Sequence, residues 1–227
     1  MVPGNNSTIE PEIWRVIPRE TALYASRLML KGDITRENLK SMEKEVDRAA
    51  AELMATVVHV MMIADMVVSF IMEADWNDRR TAALREKWGV PALTGWTAMR
   101  DALRHLGIER FVTISPYPKY LQDLAAPFFK REGFEMTDGT TLDVADMLNI
   151  PLVTGTEIMG RLDRLDRSRA QAIVLLSTDL PTFDLIEQIE TKYGLPVLGQ
   201  NQTMLWSALR TIGSDARIKG LGRLLSS

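Results

Sequence analysis

A short pattern occurs twice in this chain. Lys87-Trp88-Gly89-Val90-Pro91 returns as Lys192-Tyr193-Gly194-Leu195-Pro196, and Ala102-Leu103-Arg104-His105-Leu106-Gly107 returns as Ala208-Leu209-Arg210-Thr211-Ile212-Gly213. The offsets are 105 and 106, so one residue is inserted between the two blocks. Self-similarity at a fixed spacing marks a chain built from like units in tandem. In each copy a helix ends before a Gly suited to a left-handed cap, a short strand containing Pro follows, and a second helix closes at another Gly. Pro91 and Pro196 have no N–H to give to a sheet, which places them at an edge or a strand entry.

Four apolar, β-rich runs are expected as strands: Met66 to Ile71, Phe111 to Ser115, Ala172 to Leu176 and Leu195 to Leu198. Each is followed by turn residues and a helical pattern, and such alternation implies parallel βαβ units. A helix is expected from Thr35, its N-cap, with Glu37 in the first turn and an apolar stripe from Leu39 to Val57 at helical spacing. An offset of 106 lays Ala64 to Ile71 over Ala170 to Ser177, so the strand ends near Ile71 and Ser177 are expected at equivalent places in the two units. Ligands of open parallel sheets bind beyond the carboxyl ends of the strands. Two facing units would set these loops opposite each other across a cleft.

Composition narrows the chemistry. Over 227 residues, 46% are apolar and 25% charged, the proportions of an ordinary globular protein with room for a sizeable core. The formal charge of −3, from 27 basic and 30 acidic side chains, gives no footprint for nucleic acid. The apolar stretch Ala49 to Met72 is broken by Glu52, His59 and Asp65, so no membrane span is expected. The opening Met-Val-Pro-Gly-Asn-Asn lacks the regions of a secretory signal, and a cytoplasmic location is expected. There are no cysteines, hence no disulfide, thiolate metal site or thiol catalysis. With His59 and His105 the only histidines, no metal site and no cofactor are expected.

Several segments resemble a known family. Met1-Val2-Pro3-Gly4-Asn5-Asn6-Ser7-Thr8-Ile9-Glu10-Pro11-Glu12 resembles the opening of maleate isomerase-like proteins, a strand running into Pro-Ser-Ser-Asn-Thr-Thr and then Glu-x-Glu. Ile114-Ser115-Pro116-Tyr117 resembles their Thr-Pro-Tyr at the first strand of the second lobe, and Gln200-Asn201-Gln202-Thr203-Met204-Leu205-Trp206 their Ser-Asn-Gln-Ala-x-x-Trp. Ile173 to Asp184 looks like the strand and loop that carries their second-lobe cysteine. On these motifs the chain resembles the aspartate/glutamate racemase superfamily, in its maleate isomerase and arylmalonate decarboxylase branch.

The resemblance implies an α/β fold of two pseudo-symmetric Rossmann-like lobes, each a parallel sheet flanked by helices, with the active site in the interlobe cleft. The expected boundaries are residues 1–95 with 207–227 for the N-terminal lobe and 96–206 for the C-terminal lobe. In the family, cysteines of the two lobes exchange protons beside a carboxylate or add to a double bond. Here Ser177 stands where the second-lobe cysteine is expected, and Ile71 or Met72 where the first would be. The family's first strand also has several residues before the Pro-x-x-Asn turn, whereas Met1 and Val2 alone precede Pro3 here. This implies an upstream start or an abbreviated strand, which the mass of the endogenous protein decides.

A serine hydroxyl needs an adjacent base to become a nucleophile or useful proton donor. Ser177 has no histidine near it in sequence; the acids Asp179 and Asp184 share its loop, and Glu73 and Asp75 lie on the loop taken as its first-lobe counterpart. Ser177, Glu73 and Asp179 are therefore the catalytic candidates, with Ser177 contacting a carboxylate and an acid moving the proton. Substrate binding is expected from Asn6, Ser7 and Thr8 beside Asn5 in the first turn, and from Tyr117, Thr178, Asn201 and Gln202. His59 is expected in the core or an interface and His105 at a helix end on the surface. Trp76, Trp88, Trp96 and Trp206 are expected as packing anchors, and Gly155 to Gly160 lacks the lysine and spacing of a phosphate loop.

The expected function is a cofactor-independent enzyme acting on a small carboxylic or dicarboxylic acid, with lyase, decarboxylase or hydrolase chemistry favoured over racemisation. A racemase needs a matched donor on each face, and Ile71 or Met72 supplies none. The rival expectation is a carboxylate-binding or regulatory protein that keeps the cleft without catalysis. The Met-rich surface between Met54 and Met66 points to a homo-oligomer, a dimer or higher.

Overall fold

A computed structural model describes residues 1–30 and 35–226. Residues 31–34 and Ser227, which the expected N-terminal lobe includes, lie outside the described residues. Among the described residues there are eight strands: β1 (Val2–Pro3), β2 (Arg27–Leu28), β3 (Met61–Ile63), β4 (Ala92–Thr94), β5 (Arg110–Ser115), β6 (Glu135–Thr141), β7 (Ala172–Leu175) and β8 (Val197–Gly199). The α-helices are α1 (Ile9–Trp14), α2 (Arg36–Glu43), α3 (Val46–Leu53), α4 (Val67–Ile71), α5 (Trp76–Trp88), α6 (Gly95–His105), α7 (Lys119–Gln122), α8 (Ala125–Arg131), α9 (Gly155–Leu162), α10 (Ile186–Tyr193), α11 (Gln200–Thr211) and α12 (Gly222–Ser226).

The two halves repeat one plan. In the second, four parallel strands run in the order β6-β5-β7-β8. In the first, β1 pairs with β2 and β3 with β4, both in parallel. Backbone bonds from Ala64 N–H to the Met1 carbonyl and from the Met1 amino group to the Met62 carbonyl, each 2.8 Å, join the two pairs. The order β2-β1-β3-β4 thus mirrors the second sheet. Since β1 has two residues against six in β5, the first sheet is the thinner one. Beside it lies an apolar cavity of about 410 Å³, bounded by Thr21 to Ala25, Val57 to Met61 and α11.

The repeated motifs behave as their chemistry dictates. Gly89 and Gly194 end α5 and α10 at φ of 72° and 70°, a backbone conformation that costs a side-chain-bearing residue energy. Pro91 and Pro196 enter β4 and β8 and use their carbonyls, which accept from Met61 and Ile173 N–H. Thr35 caps α2 by accepting from Asn38 N–H at 3.1 Å. Trp96 is fully buried against Phe128, Phe129 and Phe134 in tilted and edge-on contacts, the geometry aromatic quadrupoles prefer.

Three expectations need correction. Met66 to Ile71 is not a strand: the strand is Met61–Ile63, and Val67–Ile71 is helical. A buried run of Val, Phe and Ile satisfies either state, and here Asp65 accepts from Val68 N–H at 2.8 Å, which caps a turn of helix. The helix beginning at Thr35 does not run to Val57. It divides into α2 and α3 around Lys44–Glu45, and Val57 is 78% exposed. Finally, of the two places expected for His59, the core is excluded, because the residue lies on the exposed rim of the apolar cavity. His105 is at the end of α6 and stacks on Trp206.

The first correction moves the point of equivalence between the lobes. Met61 pairs with Ala92, and Ile173 pairs with Val197, the repeat partner of Ala92. The strands therefore align with Met61 on Ile173, which sets Asp65 on Ser177. Neither Ile71 nor Met72 occupies that place: Ile71 is the last residue of α4 and Met72 its C-cap.

Candidate active site

One rule of position gathers the site. Asn5, Asp65, Tyr117 and Ser177 are each the second residue beyond the end of β1, β3, β5 and β7. All four line one small cavity between the lobes. Parallel strands end on the same side of their sheets, so residues at matching distances past the strand ends converge. Thr178 and Asp179 complete the polar wall, and Leu39 and Met42 of α2 with Met147 and Ile150 close it from above. The space left is about 30 Å³, roughly one water. An acid of even a few carbons needs that apolar cover to retreat.

Ser177 sits at φ 94°, one of two non-glycine residues with positive φ among those described. Such a conformation costs about 1–3 kcal/mol and persists where the surroundings impose it. Here Ser177 Oγ accepts from Asp179 N–H at 3.2 Å, and its side chain lies beside the Tyr117 phenol, whose pKa it lowers. Among the described residues no base is hydrogen-bonded to the Ser177 hydroxyl. Tyr117 is buried, and burial, with Asp65 and Asp179 nearby, holds its phenol well above its ordinary range.

The two acids of the cleft titrate near neutrality. Burial pushes Asp65 up to about 7, with the charge of Asp179 adding to the shift and the Val68 N–H opposing it. Burial raises Asp179 to about 6, against the Ser7 N–H and Arg27. No lysine or arginine lines the cavity among the described residues. Arg27 itself is bound to the Asn6 carbonyl and paired with Glu10.

The second-lobe loop is fastened by the first lobe. Asn6 Nδ2 donates to Thr178 Oγ1 at 2.9 Å, Ser7 N–H to Asp179 Oδ1 at 3.1 Å and Thr8 Oγ1 to the Asp179 carbonyl at 2.8 Å. Glu12 Oε1 accepts from Thr182 and Phe183 N–H at 2.7 and 2.9 Å, and Oε2 from Asn201 Nδ2 at 2.7 Å. The same Asn201 Nδ2 also reaches the Thr178 carbonyl. Burial raises the Glu12 carboxyl, while these donors pull it back.

The expected residues are thus divided by their partners. Ser177, Thr178, Asp179 and Tyr117 face the cleft. Asn6, Ser7 and Thr8 stand behind the loop: Asn6 Oδ1 also accepts from Thr8 and Ile9 N–H, so its amide is spent inside the protein. Gln202 caps α11 by accepting from Gly199 N–H and donates to the Leu221 carbonyl, away from the cleft. Glu73 is on the surface in an ion pair with Arg79, its side chain 81% exposed.

Asp65 stands outside the expected residues, and the expected first turn reaches the cavity through one residue. Asn5, not Asn6, turns to the cavity, and both its side-chain polar atoms are buried without a partner. In the sequence Asp65 stands out only as a break in an apolar stretch. A lone acid two residues past Met61-Met62-Ile63, at a strand's carboxyl end, is the signal for it. Gly95 shows how tightly its loop is held, since a Cβ there would lie 2.5 Å from the Asp65 carbonyl oxygen. Among the described residues no three His, Cys, Asp or Glu side chains gather to hold a metal ion, and no helix is long and apolar enough to cross a membrane.

Known proteins share this architecture throughout. The family model described as Arylmalonate decarboxylase matches residues 1–225. A maleate isomerase of Geobacillus stearothermophilus is 28% identical over 239 residues, which cover 100% of this chain and 95% of the relative. The arylmalonate decarboxylase of Bordetella bronchiseptica is 27% identical over 236 residues, covering 99% and 91%. The crystal structure of a maleate isomerase from Pseudomonas putida superimposes with a TM-score of 0.94 at 27% identity, covering 100% of this chain and 96% of the other.

Proposed function

Because the chain belongs to the arylmalonate decarboxylase family, we propose that it is a cofactor-independent enzyme acting on a small carboxylic or dicarboxylic acid between its lobes. The observation that carries this reading is the strained Ser177 at a strand end, in a cavity it shares with Tyr117, the unpartnered Asn5 amide and two acids of raised pKa. Strain and perturbed acids concentrated in one cleft are the marks of a reacting site.

Asn5 and the hydroxyls of the second-lobe loop hold a substrate carboxylate and the negative charge that grows on it as an enediolate forms. The proton then moves through a carboxyl group. Ser177 is a hydrogen-bonding contact, since among the described residues no base is hydrogen-bonded to its hydroxyl. One side of the cleft carries an acid poised near neutrality at the strand end and the other a hydroxyl. That inequality suits a single protonation, as in decarboxylation or another lyase reaction, better than the matched exchange of a racemase.

The test is NMR in deuterium oxide with maleate, aspartate and an arylmalonate. Deuterium appearing at the carbon next to a carboxylate is the expected result. Binding without turnover, or hydrolysis without deuterium at carbon, overturns it, and the first of these outcomes makes the protein a carboxylate binder. Replacing Asn5 by Ala is expected to weaken binding of whichever acid is turned over by about tenfold, the worth of one lost hydrogen bond to an ionised group.

A further inference from the structure

We infer that Asp65 is the residue that delivers the proton to substrate carbon, from the first-lobe face of the cleft. The inference rests on the reading above and goes beyond it, because that reading leaves open which acid acts and on which face. Asp65 and Ser177 hold the same place in the two lobes, and both line the one cavity. A carboxylate held at the Ser177–Asp179 loop and Asn5 leaves its neighbouring carbon between that loop and Asp65. Asp179 is the weaker candidate. It lies on the loop that holds the carboxylate, with one oxygen engaged by Ser7 N–H, and it feels the charge of Arg27.

Helix capping alone does not account for Asp65. It caps α4 through Val68 N–H, yet Ser, Thr or Asn would do the same without a charge to desolvate. A capping carboxylate is ordinarily solvated and strengthened by the helix end. This one is buried, with Asp179 raising its pKa further and Tyr117 and Ser177 across the cavity. At neutral pH a substantial fraction therefore keeps its proton, the state a donor needs.

For a malonate-type substrate the step balances as follows. The bond from the central carbon to one carboxylate breaks, carbon dioxide leaves, and the electron pair remains as an enediolate on the retained carboxylate. The Asp65 O–H proton passes to that carbon, and the resulting Asp65 carboxylate takes a proton from water. Attack from one face fixes a single configuration of the product.

The test uses the whole protein with 2-methyl-2-phenylmalonate in deuterium oxide, the product being resolved by chiral chromatography. One enantiomer of deuterated 2-phenylpropionate is expected, with a rate that falls as pH rises through about 7. Asp65→Asn keeps the helix cap and is expected to lose at least 100-fold in kcat. Asp65→Cys is expected to regain activity with the same enantiomer, and Asp65→Asn combined with Ser177→Cys to yield the opposite one. Asp65→Asn that retains a tenth of the activity overturns the inference while leaving the proposed function standing. So does a double variant that gives the parent's enantiomer. If the unaltered protein incorporates no deuterium into any acid tested, the proposed function fails and the inference fails with it.

Discussion

The loops after β3 and β7 occupy matching places and are built in opposite ways. The first, Asp65-Met66-Val67, turns at once into α4, and its single polar side chain is bound to its own backbone. The second, Ser177-Thr178-Asp179, carries three polar side chains and is held from outside by Asn6, Ser7, Thr8 and Glu12 of the other lobe. The locally closed loop buries one acid, and that burial raises its pKa. The loop braced from across the cleft keeps a serine at positive φ with its hydroxyl in the cavity. One scaffold thus offers a proton on one face and hydrogen bonds on the other.

Removing the brace breaks this contrast most severely. Glu12→Ala leaves Thr182 N–H, Phe183 N–H and Asn201 Nδ2 short of an acceptor, and each orphaned buried donor costs about 1–3 kcal/mol. A loss of roughly 3–6 kcal/mol in urea unfolding is expected. A loss under about 1 kcal/mol would show that the loop holds itself.

Asp65→Asn tests the other loop through its pH dependence. An acid whose pKa rises from 3.8 to about 7 on folding holds more protons folded than unfolded between those values, so its burial costs increasing stability as pH climbs through that window. The variant is expected to match its parent near pH 4 and to exceed it at pH 8, by at most about 4 kcal/mol at 1.36 kcal/mol per unit. Equal stability at both pH values contradicts a buried acid.

Ser177→Val sharpens the backbone half of the comparison. A β-branched side chain at φ 94° is expected to cost about 2 kcal/mol in thermal unfolding, while a fully tolerated Val means that no strain is imposed there. The smallest effect belongs to Glu73. Its exposed pair with Arg79 is worth well under 1 kcal/mol, and Glu73→Ala is expected to leave both stability and turnover as they were. A collapse in kcat would return that residue to the site.

The two-lobed plan was readable because it is written in local chemistry. Gly89, Gly194, Gly107 and Gly213 all adopt positive φ, and Pro91 and Pro196 stand at strand entries, each for a reason contained in the residue itself. The second-lobe half of the cleft followed from Ser177 and Tyr117, which lie beyond strands long enough to be recognised. The first-lobe half was misplaced because a repeat offset measured after α5 and α10 does not carry back across connections of unequal length. The turn of helix at Val67–Ile71 lengthens one of them, and its residues suit a strand equally well. Asn5 and Asn6 were inseparable by composition. Only the fold shows that Asn6 spends its amide on Thr178, Thr8 and Ile9 while Asn5 keeps its own free.

The most direct measurement is a crystal structure of the protein with phenylacetate, an acid that has a carboxylate and a neighbouring carbon but nothing to lose. The account predicts its carboxylate against Asn5 and the Ser177–Asp179 loop, with Leu39 and Met42 displaced and the Asp65 carboxyl on the far face of the neighbouring carbon. Phenylacetate in the apolar cavity beside β1, with the cleft unchanged, would contradict it.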